Sequence, residues 1–201
     1  MSLRCESVER PAVGRAVWDT FVDGCDEAWL WHRYDFQDTL CTWPRRSDAS
    51  FALAGPRGEL LAVVPLHRID RRLAGLPLRR LDSLGGPAIR NSLSPRERRR
   101  VREAVKESLT ARMAACRAVE LTISLPPLAP AFRGERCPRV NPLLDLGCDN
   151  TLTQTWMVDL NVSDTLLCEQ MAGRARTAVR KAVQQGVRVR WDVRPGDAEQ
   201  Y

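Results

Sequence analysis

Between Met171 and Trp191 lie six basic residues and no acidic one: Arg174, Arg176, Arg180, Lys181, Arg188 and Arg190. The 201-residue chain holds 31 Lys and Arg against 25 Asp and Glu, so this one stretch accounts for its entire formal charge of +6. A local, one-signed field on an otherwise balanced protein points to an anion site. Arginine offers phosphate a planar two-pronged fork, and lysine a compact charge. Arg176 and Arg180 are like charges four residues apart, which costs roughly 0.2–0.5 kcal/mol on a helix unless an anion lies between them. The candidate phosphate-binding residues are therefore Arg174, Arg176, Arg180 and Lys181. A plain solvated face is the competing reading, with Asp159 as a possible structural partner for one arginine.

The elements that must position these cations are readable. Ala175, Ala178, Val179, Ala182 and Val183 recur at helical spacing and predict an amphipathic helix from about Arg174 to Gln185. Arg176, Arg180 and Gln184 form one outer row, and Arg174, Thr177 and Lys181 lie near another. Gly186 is suited to end the helix. A strand is expected before it, over residues 154–160, and a shorter helix from Asp164, capped by Asn161 or Ser163. Another strand is expected over 187–193, then a turn at Pro195-Gly196 and the start of a helix.

Other chemistry is sparsely represented. Seven cysteines, none in Cys-x-x-Cys spacing, and only two histidines, His32 and His67, give no zinc-ligand pattern. Reduced, buried thiols are the expectation, and no local sequence supports a Cys–His catalytic pair. Gly85-Gly86-Pro87 permits a tight turn or a close backbone approach to a substrate, and the plain turn is the favoured reading. A second basic run, Arg96 to Arg102, is interleaved with Glu97, Glu103 and Glu107 and reads as a solvated helix face. The N-terminus has no apolar run resembling a signal peptide, and no stretch is long and apolar enough to span a membrane, so the expected compartment is the cytoplasm.

In the N-terminal part, residues 13–31 read as helical, followed by an aromatic-rich short helix and loop over residues 31–44. Residues 51–54 and 59–66 flank Gly55-Pro-Arg-Gly58 as a hairpin. Residues 73–84 read as a loop and a short strand. Ser94-Pro-Arg-Glu97 is a capping box opening a helix to about Arg117, with Val101, Val105, Leu109 and Met113 facing inward. Residues 119–125 read as a strand. Residues 128–153, rich in Pro, Gly and Asn, read as a linker between two lobes. The fold class is α/β: a mixed sheet flanked by helices.

Trp156-Met-Val-Asp-Leu160, the helix from Asp164, and Arg176-x-x-x-Arg180-Lys-Ala-x-x-x-Gly186-Val together resemble the FemAB-type aminoacyltransferases, within the wider GNAT-like acyltransferase superfamily. Trp18-Asp-Thr-Phe-Val22, Gly58-Glu-Leu-Leu-Ala-Val-Val-Pro-Leu66 and Leu81-Asp-Ser-Leu-Gly-Gly-Pro87 agree with that group. The resemblance implies a first GNAT-like lobe over residues 1–150 and the beginning of a second over 151–201, the family being longer than this chain. It implies transfer of an acyl or aminoacyl group to an amine, in cell-envelope or peptidoglycan-precursor metabolism, with acyl-CoA or aminoacyl-tRNA as donor. It also implies a phosphate-containing partner: a nucleotide- or lipid-linked precursor, CoA or tRNA. No resident cofactor is identifiable. If the chain ends naturally at Tyr201, a homodimer would cover the open sheet edge of the second lobe.

Two other classes compete. One is a non-catalytic lobe that binds a phosphate-containing ligand or a protein partner. The other is a nucleic-acid-binding protein, permitted by a pI near 9.2 but without a recognisable binding motif.

Overall fold

The structure is a computed structural model that describes residues 5–73, 76–151 and 158–189. The chain divides into two units, Met1–Thr153 and Gln154–Tyr201.

The first unit is α/β. Its elements run β1 (Glu6–Glu9), α1 (Arg10–Val13), α2 (Arg15–Asp23), a 3₁₀ turn at Leu30–His32, and α3 (Tyr34–Cys41). Then come β2 (Arg46–Asp48), β3 (Phe51–Ala54), β4 (Leu60–Val64), β5 (His67–Leu73), β6 (Leu76–Leu84), β7 (Ala88–Ile89), α4 (Pro95–Cys116) and β8 (Glu120–Ser124). One sheet, ordered β1-β3-β4-β7, is wholly antiparallel. The other, β2-β5-β6-β8, is mixed: β8 runs parallel to β6, and α4 makes the crossover that a parallel pair requires.

The two sheets share a corner. β2 pairs with β5 and β3 pairs with β4, so the β2–β3 segment and the β4–β5 segment form one antiparallel ribbon bent at residues 49–50 and 65–66. Pro65 has no N–H for a ladder. Ser50 bridges the bend instead: its hydroxyl accepts from Leu66 N–H at 2.9 Å and donates to Leu66 C=O at 3.1 Å. Ser83 donates to Pro65 C=O from the neighbouring strand.

The apolar spacing in α4 does what it predicts. Val101, Val105 and Leu109 are buried against Phe51, Leu53, Leu61, Leu66, Leu81 and Ile89. Ser94 Oγ accepts from Glu97 N–H, and the Glu97 carboxylate accepts from Ser94 N–H at 2.9 Å, closing the capping box. On the other face of the antiparallel sheet, Trp18 and Val22 of α2 pack on Ala52, Leu60, Val63 and Ala88.

Three expectations need correction. The helix expected over 13–31 is broken at Gly14, whose φ is +77°, and ends at Asp23 with Gly24 as its cap. Cys25 and Ala28 are apolar because they are buried in irregular backbone, which a periodicity reading mistakes for more helix. The segment 73–84 is mostly strand: its basic–apolar alternation is β-period, with β6 paired to β5 from Leu76 to Asp82; residues 74–75 lie outside the described residues. The expected linker over 128–153 packs on the first unit. Its Leu143 and Leu146, in a 3₁₀ segment at Pro142–Leu146, join the α4 cluster because Asn141 caps that turn and aims both leucines inward.

The second unit contains α5 (Asp164–Gln170) and α6 (Gly173–Gln184). Ser163 Oγ caps α5 by accepting from Leu166 N–H at 3.3 Å. After α6, Gly186 adopts φ +76°; its N–H donates to Val183 C=O and that of Val187 to Ala182 C=O, a Schellman ending. Most of the strand expected at 154–160 lies outside the described residues, and 158–160 carry no regular structure; the strand expected over 187–193 falls outside from residue 190, and 187–189 are likewise irregular. The turn at 195–196 and the helix expected after it also lie outside. No helix among the described residues is long and apolar enough to cross a membrane.

Candidate functional site

All four predicted phosphate-binding residues fall on α6, and all are exposed. The helix carries no acidic residue. Arg174 and Arg176 sit near its N-terminus, where positive charge opposes the helix dipole, so the helix does not stabilise these cations electrostatically. The apolar side of α6 is also open: Val179 is 49% and Val183 69% exposed. Asp159 forms no ion pair among the described residues, and its Oδ1 accepts from Asn161 N–H at 2.9 Å. Arg188 is exposed, and Arg190 lies outside the described residues.

The arginines of the first unit behave differently. Among the described residues every ion pair lies in that unit. The basic opening of α4 is largely neutralised: Arg98 pairs with Glu27, Arg99 with Glu103 and Arg102 with Asp145. Of the interleaved acids only Glu103 forms such a pair; Glu27 and Asp145, outside the run, supply the others.

Both histidines are fully buried. His32 Nδ1 accepts from Trp29 N–H at 3.1 Å, so Nε2 carries the proton and faces Gly86 C=O at 3.1 Å. Burial pushes its pKa down to about 4, against the pull of these two bonds. Gly85 and Gly86 adopt φ values of +106° and +67° and bring the backbone against this ring. The favoured plain-turn reading of Gly85-Gly86 is incomplete: the backbone makes a close approach, and its object is a histidine of the same chain.

A buried polar layer went unnoticed in the sequence. On the face of the mixed sheet opposite Leu81, register places Asp48, His67 and Asp82 side by side across β2, β5 and β6. Arg46 donates to Asp82 at 3.3 Å. Arg10, 4% exposed, donates to Asp48 at 2.8 Å, to Asp38 at 2.6 Å and to Tyr34 C=O at 3.0 Å, and stacks on the Tyr34 ring at 4.0 Å. Burial, then Arg46, holds His67 below the usual histidine pKa. The only local signal was the Arg46-x-Asp48 spacing, and register alone makes these residues neighbours of His67 and Asp82.

Burial raises the Cys25 thiol to about 11, against backbone hydrogen bonds from Glu27 and Ala28, and its Sγ donates to Ile89 C=O at 3.3 Å. That is an inert structural thiol. No group of three or more His, Cys, Asp or Glu among the described residues is arranged to hold a metal ion. A cleft of about 580 Å³ lies between α2 and the start of β4, lined in part by Val17, Phe21, Leu60 and Arg90. It contains none of the predicted site residues.

No protein-family model matches the chain, and no curated protein matches it. Three solved structures resemble it in outline. A ribosomal-protein-alanine N-acetyltransferase from Brucella melitensis biovar Abortus 2308 is 8% identical with a TM-score of 0.47, covering 79% of this chain and all of its own. An aminoglycoside acetyltransferase from an uncultured soil metagenomic sample is 14% identical with a TM-score of 0.46, covering 81% of this chain and all of its own. The aminoglycoside 6'-N-acetyltransferase AAC(6')-Ih from Acinetobacter baumannii is 11% identical with a TM-score of 0.45, at the same coverages. These values fall short of assigning the chain to a family, and no residue role follows from them.

Proposed function

We propose that this chain is part of an acyl- or aminoacyltransferase of the FemAB/GNAT-like type and that α6 binds the phosphates of its substrate. One observation carries the reading: Arg174, Arg176, Arg180 and Lys181 are exposed on a helix without a single carboxylate, while ion pairing elsewhere in the described residues is confined to the first unit. An amine attacking an activated acyl carbon forms a tetrahedral oxyanion and then expels the donor's thiol or hydroxyl. Such a reaction can run on positioning and charge stabilisation. On this reading the α6 cations hold the phosphates of acyl-CoA, aminoacyl-tRNA or a nucleotide- or lipid-linked cell-envelope precursor.

The experiment is calorimetric titration of acetyl-CoA, a UDP-linked peptidoglycan precursor and tRNA into the wild type and an Arg176→Ala/Arg180→Ala variant at fixed salt. One ligand should bind the wild type and be lost by the variant, and its identity names the donor or acceptor class. Equal binding to both proteins, or none to either, returns α6 to a solvated surface.

A second reading is a non-catalytic lobe that binds a phosphate-containing ligand or a protein partner. Its support is the complete burial of His32 and His67, which removes both histidines as accessible proton-transfer groups. Ligand binding without acyl transfer to any amine acceptor favours it.

A further inference from the structure

Four buried polar atoms around the Asp48–His67–Asp82 row make no hydrogen bond to protein: His67 Nδ1, His67 Nε2, Gln37 Oε1 and Arg46 Nη1. His67 and Gln37 are both fully buried. Leaving such atoms unpaired forfeits their hydration without replacement, so native interiors pair nearly all of them. A fifth, Arg68 Nε, points from the opposite face of the sheet and lies 3.2 Å from Asp70.

The orientations are fixed by other bonds. The Gln37 amide nitrogen donates to Trp31 C=O, so turning the amide over would set two oxygens against each other. Arg46 is held by Asp82, with its ring-facing neighbour Trp43 at 5.4 Å. The Gln37 main chain is near the His67 ring but not in hydrogen-bond geometry.

The donor and acceptor count selects the ligand. A neutral imidazole contributes one N–H and one bare nitrogen, Arg46 Nη1 contributes N–H, and Gln37 Oε1 only accepts. Two kinds of donor thus face two acceptors. A cation would sit beside Arg46 with only two unpaired lone pairs, because Asp48 and Asp82 are already engaged by Arg10 and Arg46, and an anion would meet the Gln37 oxygen and the imidazole lone pair. Water accepts two hydrogen bonds and donates two, which matches the set. We propose that the His67–Gln37–Arg46 cluster is an enclosed hydration site holding one or two ordered internal waters that link α3 to β2 and β5.

Oxygen-17 magnetic relaxation dispersion of the wild type and of His67→Phe tests this. The phenyl ring is somewhat larger than imidazole and removes one donor and one acceptor, so the number of long-lived internal waters should drop by one or two. An unchanged number overturns the proposal. If His67→Phe does not fold, a high-resolution crystal structure of the wild type decides. Water density within hydrogen-bond distance of at least three of the four atoms supports the site, and a dry cluster with those atoms paired to protein overturns it.

Discussion

The Gly85 backbone lies so close to the His32 ring that a Cβ on residue 85 would sit 2.5 Å from Cε1 and 2.9 Å from Nε2. The ring has no room to retreat: it is fully buried and both its nitrogens are engaged. Gly85→Ala adds a steric clash to the strain of φ +106°. It should cost about 2–4 kcal/mol, a fall in Tm of roughly 5–15 °C for a protein of this size. A thermal melt measures it, and a Tm within 2 °C of wild type would contradict the contact.

Histidine burial makes stability pH-dependent with a defined sign. The folded pKa of His32 is about 4, below the ordinary value of 6.5, so the unfolded chain binds the proton more readily. Stability is therefore complete above about pH 6.5 and declines as pH falls toward 4. The loss from this residue approaches about 3 kcal/mol at the lower end. His67, also lowered, acts in the same direction. Urea melts at pH 7, 6 and 5 should show the decline, and His32→Gln should flatten it.

Ser50→Ala should damage the bend in the ribbon. It strips Leu66 N–H of its acceptor in a site where Ser50 itself is 1% exposed. The expected cost is about 1–3 kcal/mol, against at most about 1 kcal/mol for Ser94→Ala at the exposed α4 cap. Chemical denaturation of the two variants side by side gives the ranking.

The two sets of arginines should separate in stability measurements. Arg10→Met leaves Asp48 and Asp38 without their shared partner and should cost about 3–5 kcal/mol, at the low end because Asp38 remains half-exposed. Arg176→Ala/Arg180→Ala should change stability by less than about 0.5 kcal/mol, since both side chains are exposed and repel each other. An equal loss in both would mean that α6 is structural.

Much of the fold is legible where local chemistry decides it. α4 announces itself through Ser94, Pro95, Glu97 and its inward fourth-residue apolar repeat, and α6 through its amphipathic spacing and Gly186. The misread segments are those in which tertiary packing overrides period: Cys25 and Ala28 after α2, and Leu143 and Leu146 in a stretch rich in turn residues. Charge distribution reveals the α6 cations but names no ligand for them. The Asp48–His67–Asp82 row was invisible because cross-strand neighbours depend on register, which no single strand encodes.

The bent ribbon also governs how the first unit can come apart. The same two chain segments form β2–β5 in one sheet and β3–β4 in the other, and the Ser50–Leu66 bridge fastens them where they turn. Opening that passes through the bend must part both strand pairs, because each is the continuation of its counterpart. A lesion at the bend is therefore felt by both sheets.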